Sequence, residues 1–111
     1  GVLNNSLLTT ITGNTNYIID FEDKSTIKLY LYSNINFTTT NLSSTESSVI
    51  TILIENSGIT SFDLTFPSEW LWIGYKPTQI DSFDKSILTV QNFGINDSDV
   101  VSSYVILTNG E

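Results

Sequence analysis

Apolar residues recur at every second position in several short runs, and polar clusters separate the runs. Tyr17, Ile19 and Phe21 alternate with Ile18 and Asp20, and Ile27, Leu29 and Leu31 alternate with Lys28, Tyr30 and Tyr32. Period two sends alternate side chains to opposite faces of a pleated backbone, so each run predicts a half-buried β-strand. Ile35 and Phe37 predict a short third strand. In residues 49–55, Ile50, Ile52 and Ile54 face one way and Val49 and Leu53 the other. Apolar side chains on both faces predict a central strand. Residues 60–66 and 87–93 carry the same alternation, and residues 100–107 read as the last strand.

The intervals read as turns and loops. Glu22-Asp23-Lys24-Ser25 and Ser33-Asn34 are polar turns, Asn56-Ser57-Gly58 a hairpin-type turn, and residues 94–99 another turn. Residues 38–48 are Thr, Ser and Asn with one Glu, broken only by Leu42, and predict an exposed loop. Residues 78–86 are polar apart from Ile80 and Phe83. Residues 1–14 are poor in helix formers and predict extended structure: an arm, a short strand, or the end of an upstream stalk, closed by the turn signal Gly13-Asn14. A chain that opens on Gly1 also reads as a piece of something longer. Residues 15–111 then form a single domain. The expected fold is all-β, an antiparallel β-sandwich of jelly-roll type with seven to nine short strands.

Composition agrees and removes several functions. The chain has no Ala, Arg, His, Cys or Met, and is rich in the β-branched and aromatic residues that suit strands. Without Cys there is no disulfide, thiolate or Cys-type metal site. Without His or Cys the usual general base and the Cys nucleophile are missing, so no enzyme is expected. Glu69 with Asp63, Asp81 or Asp84 is the remaining carboxylate chemistry, and solvated turn acids explain those residues as well. Asn96-Asp97-Ser98-Asp99 and Asp20-Phe21-Glu22-Asp23 space oxygen ligands two apart, yet neither has the glycine and distal Glu of a calcium loop, so no metal or other cofactor is expected. Net charge is −8, with Lys24, Lys28, Lys76 and Lys85 scattered. Phosphate binding needs clustered positive charge, which argues against nucleic acid. No apolar run reaches 18 residues, which argues against a membrane span.

Residues 62–77 hold both tryptophans and both prolines. Trp70, Trp72 and Tyr75 could form an aromatic platform for a sugar, with Glu69 and Lys76 beside it. Burial of the two indoles in a core or a subunit interface is the other reading, and period-two spacing gives both the same fate. Ile18, Tyr30, Tyr32, Val49 and Leu53 place apolar groups on the second faces of their strands, and a patch of that kind marks association.

One segment is specific enough to point to a family. Phe66-Pro67-Ser68-Glu69-Trp70-Leu71-Trp72-Ile73-Gly74-Tyr75-Lys76-Pro77 resembles a Pro-x-x-Trp-x-Trp-x-Gly-Gly-x-x-Pro-like element of bacteriophage fibre domains, from tail-fibre tips and head fibres. Ile35-Asn36-Phe37-Thr38-Thr39-Thr40-Asn41 before it, and Ile87 to Gly94 with Tyr104 to Leu107 after it, match the strand layout of that family. The resemblance runs from Tyr17 to Leu107, and Tyr75 stands where a second glycine is common. It implies a non-enzymatic virion protein, homotrimeric, that contacts a host surface glycan or protein or decorates the particle beside other virion proteins. A secreted carbohydrate-binding module or bacterial adhesin domain built on the aromatic platform is the alternative.

Overall fold

Every alternating run becomes a strand whose apolar face turns inward. The computed structural model describes residues 8–12, 15–23 and 26–108. The turn signal at Gly13-Asn14, the Lys24-Ser25 half of the first polar turn, and residues 1–7 and 109–111 lie outside the described residues. The strands are β1 (Leu8–Thr12), β2 (Asn16–Asp20), β3 (Thr26–Leu31), β4 (Ile35–Thr40), β5 (Val49–Asn56), β6 (Phe62–Thr65), β7 (Leu71–Trp72), β8 (Gln79–Ile80), β9 (Lys85–Asn92) and β10 (Val100–Ile106). A single 3-10 turn, Asp97–Asp99, is the helical element among the described residues. The chain is all-β.

The strands form two mixed sheets, ordered β1-β3-β5-β9-β10-β7 and β2-β4-β6-β8. The expected antiparallel jelly-roll pairing is not what the ladders show: five of the eight are parallel. The reason lies in the connections. From β1 to β6 each strand crosses to the opposite sheet, so the next strand of the same sheet runs in the original direction. β1, β3 and β5 therefore pair in parallel, as do β2, β4 and β6. Asn56-Ser57-Gly58 is accordingly an arch from β5 to β6 between sheets, and not a hairpin. Only after β6 does the pattern change, with β9 antiparallel to both β5 and β10.

Several boundaries differ from the alternation. β4 continues through Thr40, because Thr39 and Thr40 pair with Ile19 and Asp20 of β2, and inward-facing Thr39 bonds Asp97. Gln79–Ile80 adds to β6, so the polar segment contains a strand too short to show a period. Phe83, one of the two apolar residues of that segment, is 69% exposed and sits in a left-handed turn at φ 63°. Among the described residues there are ten strands, β1 in the segment read as an arm or short strand and nine, β2 to β10, within the expected domain.

The core lies between the sheets. Ile27, Leu29, Leu31, Ile50, Ile52, Ile54, Leu88, Val90 and Val100 come from the six-stranded sheet, and Ile19, Ile35, Phe37 and Leu64 from the other. β5 is central, as its two apolar faces predict, with β3 and β9 on either side. Ile52 is fully buried. Ile52→Ala should cost about 2–5 kcal/mol by urea unfolding, a large share of the roughly 5–15 kcal/mol of a domain.

Two tyrosines report on the same interior. Burial raises the phenols of Tyr17 and Tyr104 above their ordinary value, with nearby carboxylates adding to the effect. The hydroxyls of Tyr104 and Ser86 are buried without a partner in full hydrogen-bond geometry. The folded state thus prefers the neutral phenols, while the unfolded chain ionises first as pH rises through about 10. Stability is present below that pH and is lost above it. Melting temperature should fall between pH 9 and pH 11, and Tyr104→Phe should reduce the fall.

Candidate functional site

The segment with both tryptophans is chiefly a structural corner. After β6, Pro67 ends the ladder and its carbonyl accepts the Trp70 backbone N–H at 3.2 Å, closing a turn. That turn drives the indoles against Phe66. Phe66 stacks on Phe37 at 5.1 Å, and the Trp70 and Trp72 rings lie 5.5 and 4.9 Å from it, with Tyr17 edge-on to Phe37. Trp70 is buried and donates its indole N–H to Asp97 Oδ1 at 3.1 Å. Trp72 packs against the core half-buried, its Nε1 enclosed without a partner.

The remaining predicted site residues are separated from those rings. Glu69 is exposed in the turn, accepting from Ser68 Oγ at 3.0 Å. Gly74 takes a left-handed φ of 75°, and beyond it Tyr75 and Lys76 are exposed. The Tyr75 ring lies 6.4 Å from that of Tyr104. Trp70 therefore offers no open ring face beside Tyr75. A continuous platform of three rings does not form.

The acidic pairs have structural partners. Asp97 Oδ1 accepts from Thr39 Oγ1 at 2.7 Å as well as from Trp70, which ties the turn before β10 to β4 and to the indole corner. Asp20 Oδ1 accepts from Asn41 Nδ2 at 2.8 Å and from the Glu22 backbone N–H at 2.9 Å. Those two donors hold the Asp20 carboxyl below its ordinary value. No group of three acidic, His or Cys residues is placed to hold a metal among the described residues.

The more concave surface is elsewhere, under the loop joining β4 to β5. There a cleft of about 390 Å³ is lined by Glu22, Asn41, Leu42, Ser43, Ser44, Thr45, Glu46 and Ile95, with Phe21 and Asn92 at its base. The loop is held from below by Asn92. That side chain is 1% exposed, donates to the Ser43 and Glu46 carbonyls at 3.1 Å each, and accepts from Ser48 N–H at 2.7 Å. Ser43 Oγ accepts the backbone N–H groups of Thr45 and Glu46, both at 3.1 Å. Asn41 stands at φ 59°, where the chain leaves β4. The result is a fixed rim of hydroxyls and two carboxylates, Glu22 and Glu46, beside the exposed Phe93 and Ile95. Hydroxyl groups with an apolar face are what such a rim can hold.

Sequence reasoning placed this loop as exposed but passed over Asn92, Phe93 and Ile95. A signal was present: Asn92 continues the inward series Leu88, Val90, so an amide falls on an apolar stripe. A buried amide must find partners, and here it orders a loop. No protein-family model, curated protein or solved structure matches the chain. No helix of the described residues is long and apolar enough to cross a membrane.

Asn92→Ala should lower stability by about 2–3 kcal/mol, since three bonds to a buried amide are lost. Hydrogen exchange at the amides of Thr45, Glu46 and Ser48 should accelerate, while the centre of β5 keeps its protection.

Proposed function

We propose that this chain is a virion structural and adhesion domain of a bacteriophage fibre, non-enzymatic and trimeric, that touches the host surface. The resemblance of residues 17–107 to fibre domains motivates the family. The observation that carries the adhesion reading is the ordered cleft under residues 41–48, with its hydroxyl rim and apolar neighbours. A loop already fixed by Asn92 pays little ordering entropy on binding. Its carboxylates can accept from sugar hydroxyls, and Ile95 and Phe93 offer surfaces for sugar C–H faces. The acidic rim disfavours phosphorylated or sialylated ligands, so the fitting ligand is an uncharged host glycan. Each contact is weak, and three copies on one fibre multiply the avidity. A host protein, or another virion protein in a purely decorative role, is the other partner compatible with this reading.

The second reading is a secreted carbohydrate-binding module or bacterial adhesin domain. It is favoured by the exposure of Tyr75, with Lys76 and Glu69 also at the surface. Binding to immobilised neutral host glycans separates the two. Glu46→Lys with Ile95→Asp should weaken binding at least tenfold and leave the melting temperature within a few degrees. Retained binding in that double variant, with loss in Tyr75→Ala, would reverse the order of the readings.

A further inference from the structure

The outer face of the six-stranded sheet is poor in charge. Leu53 on β5 lies across from Ile87 on β9, which lies across from Val105 on β10. One step along, Thr51, Thr89 and Ser103 form the next row. Beyond them Val101 pairs with Leu71, exposed on β7. A sheet face turned to water is ordinarily polar and charged, and these rows carry only apolar and hydroxyl side chains with no charge.

Charge divides the molecule in the same way. The face holds Lys28 on β3 and one cross-strand pair, Lys85 and Glu55, at 3.8 Å. Among the described residues, the ten other acids are not on the outward positions of these strands. In a protein of net charge −8 this is the surface that another copy can approach without repulsion. Two sheets packed face to face stand about 10 Å apart, beyond the Debye length of about 8 Å at physiological salt. Acids on the far sheet, such as Asp20 and Asp63, are set at least that far back from the neighbouring copy. Strands about 4.8 Å apart and about 3.3 Å per residue give the central four strands a footprint of roughly 400 Å². Side-chain relief adds to that footprint, against the roughly 800 Å² that each partner of a stable complex buries.

We infer that the outer face of β3, β5, β9 and β10 packs against the same face of further copies of this chain, about a rotation axis. The inference deepens the fibre reading and rests on its assembly of copies. Of the residues expected to associate, Tyr30, Val49 and Leu53 are on this face. Ile18 is on the outer face of the other sheet, and Tyr32 follows β3 in a turn, so neither belongs to the interface.

Thr89→Glu tests the inference, with Thr38→Glu on the outer face of β4 as the matched control. Light-scattering mass at micromolar concentration should be a multiple of 12.3 kDa for the native chain and for Thr38→Glu. For Thr89→Glu the association midpoint should rise at least 100-fold in concentration. If Thr89→Glu does not fold, Thr89→Cys decides, because the chain has no other cysteine. Mild oxidation or a short bis-maleimide should link Thr89→Cys copies and leave Thr38→Cys copies unlinked. A native multimer that Thr89→Glu leaves intact, or that links through position 38 and not 89, overturns this face alone. A native mass of one chain overturns both the face and the trimeric assembly.

Discussion

Two buried asparagines close the ends of the core, and the loops around them depend on that closure. Asn56 and Asn92 end β5 and β9, the antiparallel pair at the centre of the larger sheet, so they stand at opposite ends of it. Each is 1% exposed and each bonds three backbone groups. Asn56 donates to the Thr60 and Ile80 carbonyls and accepts from Gly58, fixing the arch to β6 and the position of β8. A side chain at Gly58 would strike the Phe62 ring, so the arch admits little else there. Asn92 does the same for the loop over the cleft. An unpaired amide in either place would cost about 1–3 kcal/mol for each orphaned group, which makes the loop conformations part of the core's stability.

The indole corner shows the same coupling between packing and surface. Trp70 reaches Asp97, Asp97 reaches Thr39, and the aromatic stack runs on through Phe66 to Phe37 and Tyr17. A turn before β10 is thereby locked to both sheets. The family-like segment is for this reason anchored by buried Phe66, Trp70 and Pro77, and its outward residues are Ser68, Glu69, Leu71, Ile73, Gly74, Tyr75 and Lys76. What it leaves exposed is one tyrosine and a short apolar edge beside β10, not a three-ring surface.

Crossing between sheets from β1 to β6 has a further consequence. Parallel columns need no tight hairpins, and they leave the outer faces free to differ. One carries Asn16, Asn36 and Thr65 in register, with Asp63 nearby, and is polar. The other carries Thr, Leu, Ile and Val and is nearly free of acids. The proposed adhesion and assembly surfaces are therefore separate on a domain this small.

The residue pattern by itself determined the strands, the inner faces and the all-β class. Period-two alternation is local, and a one-residue slip would turn every apolar side chain of a strand outward. It also made β5 central, because a strand apolar on both faces is rarely an edge. It left strand direction open, since alternation reads alike in a hairpin and in an arch, and Asn56-Ser57-Gly58 suits either. It missed β8, which is too short for a period to appear, and it ended β4 early, at threonines that face both ways. Only the tertiary structure decided that Trp70 and Trp72 join the core, that Asn92 builds a cleft from residues some 45 positions apart in sequence, and that Leu53, Ile87 and Val105 form one row. Each of those facts depends on which strands become neighbours, and that is set by long-range packing.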